Sequence, residues 1–358
     1  MDTDSQELEK ALKKYIDTED GKEELRQLLQ QTSLVNSRHN LLMRVGGDKY
    51  YNNTGPHIAA EKIDLGTIKC MLKGFTADQK YDVLRIQAKS NGISALHYAA
   101  CRRRSSTIIT YLLTDLSQQQ KYNLLQLQDN DELTPLHDAA QHGFSSNITY
   151  LLTDLSPQQK YNLLQLQAND GATPLHYAAR NNFSVIITCL LTDLSQQQKY
   201  NLLQLQDNDG ETPLHAAAPS HISLIMTYLL TDLSQQQKYN LVKLPDRNGD
   251  TPLHYAAHCG CFSTITYLLT DLSQQQKYSL LQLQDNDGAT PLHDAASQQK
   301  SEVVQAILAS LSLPQLLQLL NLKNDEDKTA ADIRPEIYDE LDALISPGIV
   351  MLHVLYIY

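Results

Sequence analysis

The sequence predicts an all-α protein, a helical solenoid of about eight repeats in which each repeat carries two antiparallel helices and a short third one. Three observations predict it. The tetrapeptide Thr-Pro-Leu-His stands at 134–137, 173–176, 212–215, 251–254 and 290–293, five copies spaced 39 residues apart. Gly (14) and Pro (12) are about 4% and 3% of the 358 residues, below the usual roughly 7% and 5%, which is too little turn chemistry for a many-stranded β fold. Nineteen Tyr beside four Phe and no Trp is a bias that internal duplication explains.

Each element of the unit has a local cause. Thr134 is placed to cap a helix, and Pro135 fits the first helical position because its missing N–H would be unpaired there anyway. Leu136-His137-Asp138-Ala139-Ala140 then forms a short first helix, its paired alanines letting a neighbour approach closely. A polar break at 141–143 leads to a second helix around Ile148-Thr149-Tyr150-Leu151-Leu152, apolar on one face. Ser156-Pro157-Gln158-Gln159-Lys160-Tyr161-Asn162-Leu163-Leu164 reads as the third helix, and Asn169-Asp170-Gly171 as a turn into Thr173. No unit can bury its apolar faces alone, so units must stack. Altered copies precede the five regular ones at Ser94-Ala95-Leu96-His97 and Thr54-Gly55-Pro56-His57, and Thr329-Ala330-Ala331-Asp332 follows them. Strand content is expected near zero.

The ends differ. Residues 1–47 are charged and helix-prone and suit a polar N-terminal cap; 48–333 form the array; 334–358 combine an acidic helix with an apolar tail at 349–358. Ten residues of helix reach about 15 Å, half of a hydrocarbon core, so the tail is not expected to span a membrane.

Thr-Pro-Leu-His-x-Ala-Ala, a second helix ending in Leu-Leu and an Asp-x-x-Gly-x-Thr turn resemble the ankyrin repeat, over roughly residues 48–333. The family's unit has about 33 residues; the surplus here follows Leu-Leu, where Thr-Asp-Leu-Ser-Gln-Gln-Gln-Lys-Tyr-Asn-Leu-Leu-Gln-Leu-Gln stands. That lengthened linker is similar to ankyrin proteins of intracellular bacteria, many of which act inside a host cell. The resemblance implies a non-catalytic scaffold that binds a partner protein through a concave groove and the turn tips. It also implies that His57, His97, His137, His176, His215, His254 and His293 bond toward the turn and the neighbouring Thr. Positions that change from copy to copy, just after Ala-Ala or just after the framework His, coincide with the family's groove. They nominate Tyr98, Arg102, Arg103, Tyr177, Arg180 and Tyr255, with Arg247 at a tip, since Tyr and Arg bury large area and still hydrogen-bond. The repeated Gln-Gln-Gln-Lys surface is expected to be inert and solvated.

Other chemistries are weak. The formal charge of −12 disfavours nucleic acid as a partner. Five scattered cysteines make a disulfide framework improbable and suit a reducing cytoplasm. No Sec-type signal and no apolar run of about 18 residues is found, so the expectation is a cytoplasmic monomer, or one delivered into a host cell without a Sec signal. His254, His258, Cys259 and Cys261 are zinc-ligand types, but Cys-Gly-Cys is tighter than the usual spacer, and no metal or other cofactor is expected. Asp207-Asn208-Asp209-Gly210 and Asp285-Asn286-Asp287-Gly288 start like calcium loops, yet the twelfth positions are Ala218 and Ala296, so they read as turns. No nucleophile elbow, Walker loop or dinucleotide fingerprint occurs. The alternatives are an interaction module of an enzyme, or a peripheral membrane protein using the apolar tail.

Overall fold

The computed structural model describes residues 3–17, 21–31, 39, 42, 55–221 and 224–345. Among them the regular elements are all helices, and β pairing is confined to isolated bridges, Gln87 with Ser94 and Lys323 with Thr329. Helices Thr3–Asp17 and Gly21–Gln31 come first. Seven triplets follow, starting with Gly55–Glu61, Leu65–Leu72 and Ala77–Leu84 and ending with Pro291–Ser297, Ser301–Ala309 and Leu313–Leu320. An eighth repeat holds only Ala330–Ile333 and Ile337–Ile345. The chain divides into two compact units: Met1–Ala178 with Thr188–Leu194, and Ala179–Ile187 with Ser195–Tyr358.

Within both units first helices pack on the next first helix, as Ala95–Ala100 does on Pro135–His142 and Pro252–Cys259 on Pro291–Ser297. Second helices do the same, Ser106–Leu113 on Ser145–Leu152 and Phe262–Leu269 on Ser301–Ala309. Leu136, Ala139 and Ala140 are wholly buried, as are Leu253, Ala256 and Ala257. The alanines keep adjacent backbones close, and Ile148 and Leu151 fill the space behind them.

The first helix starts on a capping box with an unusual partner. Thr134 is the N-cap and Pro135 begins the helix; the third helical residue, His137, stands where Glu or Gln usually reaches back. His137 Nδ1 accepts from the Thr134 backbone N–H at 3.0 Å, so it carries no proton. Nε2 therefore holds the proton and donates to the Ala172 carbonyl of the next repeat at 3.3 Å. His97 reaches Leu133 O (2.9 Å), His215 Asp250 O (3.0 Å), His254 Ala289 O (3.2 Å) and His293 Lys328 O (3.1 Å) in the same way. One side chain thus caps its own helix and ties its repeat to the following turn.

The third helix is built by a second box. Asp154 takes a left-handed backbone (φ 64°), as do Asp115, Asp193, Asp232 and Asp271, turning the chain out of the second helix. Asp tolerates that conformation better than most residues. Ser156 caps the helix: Gln159 Oε1 accepts the Ser156 N–H at 3.0 Å, and the Gln159 backbone N–H donates to Ser156 Oγ at 3.2 Å. Linker glutamines such as Gln118, Gln119, Gln235 and Gln236 are exposed, while the linker's Lys and Asp residues join repeat to repeat. Lys121 pairs with Asp154 at 2.6 Å, and Lys199 with Asp232 at 2.6 Å. The buried Lys160 donates to Cys189 O at 3.1 Å and to Thr192 O, and Lys80 to Thr114 O at 2.7 Å, closing orphan carbonyls at the end of the next second helix. Asn123 Nδ2 donates to the Tyr81 hydroxyl at 3.3 Å, so neighbouring third helices also touch.

At the N-terminal end, Leu8, Ala11, Tyr15, Leu25 and Leu29 are buried. Tyr15 donates to Asp64 at 3.3 Å, and Arg26 bonds Asp64 and Thr67. At the other end Ile337 and Leu341 are buried, and their helix packs on Ser301–Ala309, so the acidic segment is the second helix of the last repeat. The apolar stretch 349–358 lies outside the described residues.

Candidate functional site

The turn tips and the ends of the first helices are among the surfaces that change between repeats. The tips are self-contained turns. Asp207 Oδ1 accepts from Asp209 N (3.0 Å) and Glu211 N (2.9 Å), and Asp285 Oδ1 from Asp287 N (2.9 Å) and Ala289 N (2.7 Å). These carboxylates cap their own loops. Gly249 (φ 84°) is required where one tip meets the next, because a Cβ there would stand 2.8 Å from Asn286 N. Adjacent tips are joined by Arg247 N to Asp209 O (3.0 Å) and Asn286 Nδ2 to Arg247 O (2.9 Å).

The seven nominated residues fall into two groups. Tyr98, Arg102, Arg103 and Tyr177 belong to the first compact unit, and Arg180, Arg247 and Tyr255 to the second. Arg102, Arg103, Arg180 and Arg247 are exposed. Arg102 lies 3.7 Å from Glu61; Arg180 lies 3.3 Å from Asp207 and 3.6 Å from Glu211. The tyrosines are half-buried, and each ring meets the framework His of the preceding repeat edge-on: Tyr98 on His57 (6.3 Å), Tyr177 on His137 (5.8 Å), Tyr255 on His215 (5.5 Å). Tyr177 donates to Asp170 (3.0 Å), and Tyr255 bonds Glu211 (2.8 Å) and Asp246 (3.0 Å). The arginines face outward; the tyrosines also join repeat to repeat.

The framework histidines are not poised for proton transfer. Burial holds His57, His97, His137, His215 and His254 down at about 4, and the carbonyl bonds only partly offset it. Burial likewise pushes the Cys101 and Cys261 thiols up to about 11, away from thiolate chemistry. Of the zinc-type residues, His254, His258 and Cys259 line one cavity and Cys261 does not. Cys261 bonds Pro219 O at 3.1 Å and sits 3.7 Å from His221 Nδ1, and both His254 ring nitrogens are engaged.

Sequence reading passed over three carboxylates. Asp138 and Asp294 stand in the column that holds Tyr98, Tyr177 and Tyr255, and Asp250 ends a tip. Burial, with neighbouring acids, pushes Asp138 up to about 8, Asp250 to about 7 and Asp294 to about 8. Asp250 and Asp294 line a cavity of about 410 Å³ with Pro219, His254, Tyr255, His258, Cys259 and Asp285. The signal was the switch from Tyr to Asp within one repeat column.

The family model described as ankyrin repeats (3 copies) matches residues 56–163, 155–242 and 233–315. No match was found among curated proteins. Among solved structures, the crystal structure of the ankyrin repeat domain of Bcl-3, a unique member of the IkappaB protein family, is similar at a TM-score of 0.50 and 19% identity. The match covers 70% of this chain and 99% of that one, and at such identity it speaks for the fold alone. No described helix is long and apolar enough to cross a membrane.

Proposed function

The chain belongs to the ankyrin repeat family, whose repeats are protein-protein interaction modules, and from that premise we propose that it is a non-catalytic scaffold binding a partner protein through its first-helix ends and turn tips. One observation carries the reading. Framework imidazoles such as His97, His137 and His254 have both ring nitrogens engaged within the array, whereas Arg102, Arg103 and Arg247 vary between repeats and face solvent. A general base needs a free lone pair within reach of its substrate, and these imidazoles offer none. Domain roles follow the same logic: residues 1–47 and the final repeat close the apolar ends of the stack.

The test is Arg102→Ala, Arg103→Ala and Arg247→Ala combined, assayed against a partner captured by the wild-type chain. The expected outcome is at least about a tenfold loss of affinity, roughly 1.4 kcal/mol or more, with helicity and melting unchanged. Unchanged affinity rejects the assignment. A second reading concerns place: the 39-residue period, similar to that of ankyrin proteins of intracellular bacteria, supports action inside a host cell after export. A translocation reporter fused to the chain tests it, and retention of the reporter in the producing cell argues against it.

A further inference from the structure

Two consecutive tips carry the same backbone and opposite chemistry. In the fifth repeat, Glu211 meets two donors: the Arg180 guanidinium at 3.6 Å, shared with Asp207 at 3.3 Å, and the Tyr255 hydroxyl at 2.8 Å. One period of 39 residues later, Glu211 becomes Asp250, Arg180 becomes Pro219 and Tyr255 becomes Asp294. Both donors are gone, and a second carboxylate stands where the hydroxyl was. The ligand atoms of Asp250, His254 and Asp294 all lie within 4.8 Å of one another. Among the described residues no side-chain donor and no ion pair reaches either carboxylate, and the cavity of about 410 Å³ opens beside them.

We propose that this cavity is a socket for an arginine side chain of a partner protein, which restores from outside the guanidinium that Arg180 supplies one repeat earlier. The chemistry selects the guest. A guanidinium presents a planar fork of donors and can bridge two carboxylates, which an ammonium meets only as a point charge. A metal ion fits less well, because His254 Nδ1 accepts from Thr251 N at 3.0 Å and Nε2 meets Ala289 O at 3.2 Å, leaving no imidazole lone pair to coordinate. Asp285 also lines the cavity, and with Asp246 it adds to the negative field that draws the cation in. The burial and mutual repulsion already noted for Asp250 and Asp294 fit a site that lacks its cation.

The inference rests on the scaffold reading, and its test is separate. The probe is a fluorescein-labelled eight-residue Gly-Ser peptide with two arginines, compared with its lysine and citrulline counterparts on the full chain at physiological salt. The arginine peptide should bind at least about tenfold tighter than the citrulline peptide, and Asp250→Asn with Asp294→Asn should abolish that preference. Removing two repelling charges is not expected to harm folding. Pro219→Arg, which supplies the guanidinium within the chain, should weaken peptide binding about tenfold and raise the melting temperature. Equal binding of the arginine and citrulline peptides overturns the socket, as does a preference that survives in the Asn variant. Ca²⁺ or Zn²⁺ binding that depends on Asp250 and Asp294, without an arginine preference, also overturns it and assigns a metal instead. If the socket fails while the Arg102, Arg103 and Arg247 substitutions still weaken the partner, the scaffold reading stands without it.

Discussion

The first helix and the third helix of a repeat solve the same problem, how to join one repeat to the next, by different means. The first helix does it in the dry interior: His137, wholly buried, caps its own helix and reaches a carbonyl of the following turn. The third helix does it at the surface, where Lys121 meets an Asp154 side chain that is 63% exposed. Between them lies Lys160, an ammonium sunk onto two backbone carbonyls. A buried polar group left unpaired costs its full desolvation, while an exposed ion pair competes with water and salt. Stability should therefore fall steeply for changes in the first helix and barely for most changes in the third, with Lys160 between.

The largest expected effect is on acidification. Five framework imidazoles sit near 4 in the folded chain and near 6.5 unfolded, so the unfolded state binds more protons and stability is lost as pH falls from about 6.5 to 4. Asp138, Asp250 and Asp294, raised to about 7 to 8, act oppositely, favouring the fold below the usual carboxylate range and losing that contribution as pH rises. The imidazoles outnumber the carboxylates, so urea unfolding between pH 4 and 6.5 should show stability climbing by about 1.4 kcal/mol per pH unit for each excess proton, then falling again toward pH 8 as the carboxylates give up their protons unopposed. A flat profile over the acid range would break the comparison.

Next is His137→Ala. It strands the Thr134 N–H and the Ala172 carbonyl and opens a cavity, and it should cost about 3 kcal/mol in chemical denaturation. Lys160→Met keeps the stem and removes the charge-assisted bonds to Cys189 O and Thr192 O; about 1.5 to 2 kcal/mol is expected from the same measurement. Smallest is Lys121→Ala, where the exposed partner limits the loss to about 0.5 kcal/mol, shrinking further in 0.5 M salt. If Lys121→Ala cost as much as His137→Ala, the surface would be as much a framework as the interior.

Legibility followed the same division. The first helix could be read from Thr134-Pro135 and from a His recurring every 39 residues, because a side chain that serves every interface must recur at every interface. The third helix was visible as an element, but its purpose was not. Lys160 bonds backbone carbonyls of the next repeat, and carbonyls leave no mark in a sequence. The tyrosines carry a packing contact that their column did not announce. Tyr98, Tyr177 and Tyr255 share a column with Ala216 and Asp294, which suggested freedom from packing; in the structure the column is half-open, and a ring laid edge-on against the preceding His fills it without being required. The Asp250–Asp294 pair became visible only once Pro219 and Arg180 could be compared in place.

The central claim is that the repeat histidines form a closed hydrogen-bonded framework, leaving function to the residues around them. Nitrogen NMR of the imidazoles at pH 5.5 tests it most directly, because the two ring nitrogens report separately on which one carries a proton. The framework predicts that His97, His137, His215 and His254 stay neutral there, with the proton on Nε2 and Nδ1 unprotonated. Imidazoles that titrate near 6.5, or that carry the proton on Nδ1, would contradict it.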